Sequence, residues 1–176
     1  MAATRSPAAG PGEGRDGDRR RGRRRLYCRG LLWGLAVGAA AGGAVGALVG
    51  LRAGLDDGSP AAGLGLGLVG AGYGVILGAV LAVLPSLVGA AILTEVISAR
   101  HPDPASEDEV RDDFRLIFGA IIAVLHGGVL LALSVGGELS SIVAWLPFLA
   151  AADGAAVPML WRARRSLGRL WVEANR

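Results

Sequence analysis

Residues 30–50 read GLLWGLAVGAAAGGAVGALVG. Glycine stands at Gly30, Gly34, Gly38, Gly42, Gly46 and Gly50, and Gly54 continues the series. A step of four brings successive residues onto one face of an α-helix. In water such a helix would be poor, because each glycine costs ~1 kcal/mol against alanine. In a bilayer the comparison changes. Unpaired backbone groups find no water there, so an apolar segment is held helical whatever its propensities. The stretch carries no charge and reaches the ~20 residues that a spanning helix needs. It reads as a membrane span with a bare groove down one side, into which a second backbone can settle through dispersion and Cα–H···O contacts.

The rest of the chain agrees with that environment. Its 176 residues are 52% hydrophobic, mean hydropathy is +0.49, and charge is gathered into a few segments. That segregation is the mark of a membrane protein. All 18 basic residues are arginine; glutamine is absent and Asn175 is the sole asparagine. The excess of Ala, Gly and Arg suggests GC-rich coding, and so the cell (inner) membrane of a high-GC bacterium. Cys28 is the single cysteine, which excludes a disulfide within the chain. It precedes the apolar run, where a lipoprotein cysteine would follow it, and reads as an interfacial thiol.

Four apolar segments organise the chain, at about 31–51, 68–93, 116–135 and 142–161. The expected fold is an all-α integral membrane domain of four transmembrane helices over residues 30–161. Before it, residues 1–29 hold GPGEG and RDGDRRRGRRR; with nothing to bury, they read as a disordered arginine-rich tail. The first apolar run is longer than the ~7–15 residues of a signal peptide and three more follow, so it is expected to stay uncleaved. Pro85 within the second segment predicts a kink. A full break there would give five spans. Charge opposes it: with four spans and the N-terminus inside, nine arginines fall in the N-terminal tail, three in the loop 99–115 and five in the tail 162–176, leaving Arg52 alone outside. Seventeen against one predicts that both termini are cytoplasmic.

The loop 99–115 carries the acidic cluster. Pro102 and Pro104 stop the preceding helix, and Ser106 with Glu109 fits a capping box that starts the next helix near Glu107. The tail 162–176 is basic and amphipathic. Leu160, Trp161, Leu167, Leu170 and Trp171 recur near helical spacing, as in a helix that lies among headgroups or extends the fourth span.

The second segment repeats the small-residue step with Gly70, Gly74 and Gly78, continued by Ala82 and Ser86. Joined to the first by a short loop through Asp56 and Asp57, it predicts an antiparallel hairpin packed through Gly34, Gly38, Gly42, Gly46 and Gly50 on one helix and Gly70, Gly74 and Gly78 on the other. The pattern resembles glycine-zipper membrane segments in general. The resemblance covers about a quarter of the chain and points to no single family. It implies close helix contact and no particular activity; the contact is either within one chain, the favoured reading, or between subunits.

Motifs that carry chemistry are few. GLGLVG, with Gly65, Gly67 and Gly70, has the spacing of a dinucleotide fingerprint, but it adjoins a spanning helix and lacks the βαβ context that the fingerprint requires. Without lysine there is neither a P-loop lysine nor a Schiff base. HExxH, paired CxxC and GxSxG do not occur, and His101, His126 and Cys28 are scattered. No catalytic residue, cofactor or metal is expected. Two ionisable residues sit at membrane depth. Counted along the helices at 1.5 Å per residue, His126 lies ~16 Å and Asp153 ~12 Å from the cytoplasmic side. They are the candidate intramembrane polar pair, as structural glue or as a proton relay. The reading that follows is a small non-enzymatic multi-pass membrane protein with a structural, assembly or accessory role. The alternative is proton- or ion-coupled transport through His126 and Asp153. The expected partners are the lipid bilayer, with anionic headgroups at the arginine-rich tails, and a membrane protein or a second copy; no nucleic acid is expected.

Overall fold

The computed structural model describes the backbone of residues 11–56, 58–102, 106–136 and 139–175, and the side chains of these outside 11–16, 18–19, 125–126, 128–130 and 132–142. The described residues form four helices in sequence: α1 (Pro11–Asp56), α2 (Pro60–Arg100), α3 (Glu107–Gly136) and α4 (Leu139–Ala174). Three helical stretches among the described residues are long and apolar enough to cross a membrane: Arg20–Asp56, Pro60–Arg100 and Val143–Ala174.

Local chemistry sets the boundaries. Between α1 and α2 the chain reverses at Gly58, whose φ of 77° is a conformation that glycine adopts without a Cβ clash. Ser59 then caps α2, its hydroxyl accepting from the Ala62 N–H at 3.3 Å, with Pro60 in the first turn where its missing N–H costs nothing. Helix α2 runs unbroken through Pro85, so the segment is one helix and not two. After His101, Pro102 prevents continuation. Ser106 accepts from the Glu109 N–H at 3.4 Å, and the acidic first turn of Glu107, Asp108 and Glu109 complements the positive end of α3. Helix α4 passes Pro147 and Pro158 and takes in the arginine-rich segment 162–174, which thus extends the fourth apolar segment instead of lying apart from it.

The largest departure from the sequence reading lies at the other end. A tail was expected through residue 29, yet α1 is helical from Pro11; residues 1–10 lie outside the described part. The reason is tertiary. Leu26 is fully buried among residues of the other three helices, and arginine is a good helix former once a partner holds one face. At 46 residues, α1 is about 69 Å long, more than twice the ~30 Å of a hydrocarbon core.

The packed core sits at this arginine-rich end. Leu26 of α1 meets Leu93 and Ile97 of α2, Val110 and Phe114 of α3, and Ala163, Leu167, Trp171 and Val172 of α4. Phe114 stacks on Phe118, ring centres 6.1 Å apart. Away from that end the large apolar side chains turn outward: Leu68 is 76% exposed, Tyr73 73%, Leu84 70% and Val124 73%. Such a surface is untenable in water, where exposed apolar patches are small, and is ordinary against lipid tails. The chain is therefore an all-α protein with the character of a membrane protein.

Candidate helix-packing site and polar residues

The longest contact in the molecule joins α1 to α2, and it is made by backbone. A Cβ placed on Gly42 would stand 2.7 Å from the Cα of Gly78, and one on Gly78 would stand 2.8 Å from the Cα of Gly42. Real Cβ atoms do not approach other atoms to within 3.0 Å, so these two backbones leave no room for any side chain. The same closeness runs along the pair, against side chains at Gly34 and in part at Gly38, and against backbone at Gly46, Gly50 and Gly54. Gly34 lies against Ser86, Gly38 against Ala82 and the Gly78 carbonyl, Gly46 against Gly70 and Gly74, Gly50 against Leu66 and Gly67, and Gly54 against Gly63. As the α1 number rises the α2 number falls, which is the antiparallel sense of a hairpin.

The structure thus brings together Gly34, Gly38, Gly42, Gly46 and Gly50 with Gly70, Gly74 and Gly78 inside one chain. Not every glycine takes part. Gly65 and Gly72 on α2, Gly119 and Gly127 on α3, and Gly154 on α4 have open space where a Cβ would be.

The polar residues fall in two places. Asp153 is partly buried in α4 and engaged in a polar interaction. The backbone of His126 lies within α3, and its side chain is outside the described residues, so the pairing of the two is not observed. The second place is the arginine-rich end, where ion pairs tie the helices around the packed core. Arg23 of α1 pairs with Glu95 of α2. Arg100 and His101, at the end of α2, converge on Asp113 of α3 at 3.2 and 3.1 Å. Arg111 bonds to Asp108 and Glu107 within α3, and Arg169 of α4 reaches Glu107 at 3.5 Å. The Trp171 indole N–H donates to the His101 carbonyl at 2.9 Å. That bond satisfies a carbonyl left over at the end of α2 and fastens α4 to the α2–α3 connection. Most of these pairs are partly exposed, where one pair contributes ~0–1 kcal/mol; they set register more than stability.

Sequence reasoning missed this cluster. One signal was present. Gly22 and Leu26 lie on the same four-residue beat as Gly30, carrying the stripe back into the arginine run. Each step of four turns about 40° around the axis, so two steps swing the stripe by about 80°. Gly22 accordingly faces Ala174 of α4, and Gly30 faces Ala90 of α2.

Among the described residues no group of three or more His, Cys, Asp or Glu is arranged to hold a metal ion. No protein-family model, curated protein or solved structure matches this chain.

Proposed function

We propose that this chain is a small, non-enzymatic, four-span protein of the bacterial inner membrane, built around a glycine-zipper hairpin and serving a structural, assembly or accessory role. The observation that carries the reading is the α1–α2 contact, in which small residues meet from Gly34–Ser86 to Gly54–Gly63 and backbone meets backbone from Gly42 to Gly54. Contact this close spends both small-residue faces within the chain. It turns the large side chains of α2 outward, Leu68, Tyr73, Leu84 and others. The result is a rigid apolar rod pair, suited to holding position in a bilayer and to presenting surfaces at its ends. Helix α3 supplies the remaining span, and the arginine-rich ends of α1 and α4 lie on the cytoplasmic side, as the charge asymmetry favours.

Two measurements test the role. The purified chain in sealed liposomes is expected to pass no protons or monovalent ions beyond lipid-only controls. Mild solubilisation of native membranes is expected to yield it in an assembly of fixed stoichiometry. A pH-driven flux lost in Asp153→Asn or His126→Leu, with the fold intact, replaces this reading with transport.

A further inference from the structure

The exposed arginines divide into two sets. Arg23, Arg100, Arg111 and Arg169 are held by Glu95, Asp113, Glu107 and Asp108. Arg20, Arg21, Arg24, Arg25, Arg29, Arg52, Arg115, Arg162 and Arg165 are exposed and make no salt bridge among the described residues, and of these Arg24, Arg25, Arg29, Arg162 and Arg165 form the second set. Position unites the second set. On α1, Arg21, Arg25, Cys28 and Leu32 follow one another down a single exposed stripe, with Arg24 beside it. On α4, Val157, Trp161, Arg165 and Arg169 form the corresponding exposed stripe, with Arg162 beside it. Each stripe changes from apolar to basic within about two turns.

The two changes occur at similar levels along the molecule. Gly22 packs on Ala174, so an antiparallel register puts Arg29 of α1 near the level of Leu167 of α4, between Arg165 and Arg169. Leu32 is 64% exposed and Trp161 49%, which are lipid-facing values for such side chains at the edge of an apolar span. Arg25 stands about 10 Å below Leu32 at 1.5 Å per residue, a headgroup's depth. The Arg165 guanidinium lies over the Trp161 ring, 3.7 Å from its centroid. A Trp–Arg pair of this kind, ring toward hydrocarbon and cation toward water, is at home at the bilayer interface.

We propose that Arg24, Arg25, Arg29, Arg162 and Arg165 form a belt that binds the phosphate-bearing headgroups of anionic phospholipids, with Trp161 as its apolar edge. The assignment rests on the membrane reading given above. Guanidinium groups offer forked donors to phosphate oxygens, and among the described residues no carboxylate pairs with these five. Single-stranded nucleic acid would need free aromatic faces for its bases, and the Trp161 face is taken by Arg165.

The test reconstitutes the full-length protein in phosphatidylcholine bilayers and measures the association of spin-labelled phosphatidylglycerol relative to spin-labelled phosphatidylcholine. The expected ratio is about five or more, since one arginine near an anionic surface is worth on the order of five-fold in partitioning. It falls towards one when all five arginines are replaced by glutamine, falls only in part when Arg162 and Arg165 become lysine, which keeps the charge but loses the forked donors, and is unchanged in Arg52→Gln at the opposite end. A ratio of one in the wild type overturns the belt, as does an unchanged ratio in the five-fold variant. Loss of the preference to inorganic phosphate at constant ionic strength also overturns it, in favour of a free-phosphate site. Alkaline extraction of the starting membranes separates the two ideas: release of the chain defeats the membrane reading itself, whereas a chain that stays embedded with no lipid preference defeats the belt alone.

Discussion

Gly42 and Gly72 sit in the two apolar helices of one hairpin and have opposite surroundings. A Cβ on Gly42 runs into the backbone of Gly74 and Gly78; one on Gly72 meets nothing within 4 Å. Backbone cannot rotate away as a side chain can, so Gly42→Ala must part the helices. Overpacking of this kind costs about 1–3 kcal/mol, and Gly42→Leu costs more. Gly72→Ala and Gly72→Leu are expected to stay within about 0.5 kcal/mol of wild type. Reversible unfolding in mixed micelles, followed by circular dichroism, measures all four. Equal tolerance at both positions would remove the packing argument. Trp171 gives a second prediction at this scale. Trp171→Phe keeps the buried ring but loses the bond to the His101 carbonyl, for about 1 kcal/mol. Trp171→Ala also empties a core position and is expected to cost about 3–5 kcal/mol. If the two variants unfold alike, the indole bond and not the packing dominates.

The helices themselves were legible in unequal measure, and the difference is physical. Long apolar runs bounded by Ser59–Pro60 and by Pro102 announce α1 and α2, because burying backbone in lipid leaves the chain no other structure. The start of α3 was legible from Ser106 and Glu109 for the same local reason: a cap is written in a few adjacent residues. What could not be read was the helix through residues 11–29. Its sequence is that of a solvated tail, and it is ordered by Leu26 docking among Ile97, Phe114 and Leu167, residues far away in the chain. Tertiary contact of that kind overrides composition. The intramembrane pair marks the opposite limit. Depth along a helix can be counted from sequence, so His126 and Asp153 are readily placed at comparable heights; their rotation about α3 and α4 depends on packing that no spacing encodes. The element-scale consequence concerns α1. Deleting residues 1–19 spares every described residue of the packed core and is expected to leave the unfolding midpoint within a few degrees. Leu26→Ala in the intact chain is expected to destabilise by about 2–5 kcal/mol. Thermal unfolding of both proteins distinguishes a structural inner segment of α1 from a passive one.

At the scale of the whole molecule, two kinds of contact occupy two ends. Near the arginines, four helices share a core of large side chains and a set of ion pairs; further along, α1 and α2 continue by backbone contact while large apolar side chains face outward. This division suits a chain whose surroundings change along its length. Large buried side chains give stability where water supplies a hydrophobic driving force, and small residues give it where lipid removes that force. The arginine-rich core end should therefore lie in the aqueous phase, and positive charge selects the cytoplasm. Reporter fusions decide it. An enzyme active only in the periplasm, fused after residue 58, is expected to be active, because the α1–α2 turn is at the far end from the core. Fused at residue 104 or after residue 176 it should be silent, and a cytoplasmic reporter should show the reverse. Activity of the periplasmic reporter at 104 would place Arg100, Asp113 and the core of Leu26, Ile97 and Trp171 outside. Activity at 176 but not at 104 would make the number of crossings between α2 and the C-terminus odd, leaving α4 to cross alone there and overturning the proposed span in α3.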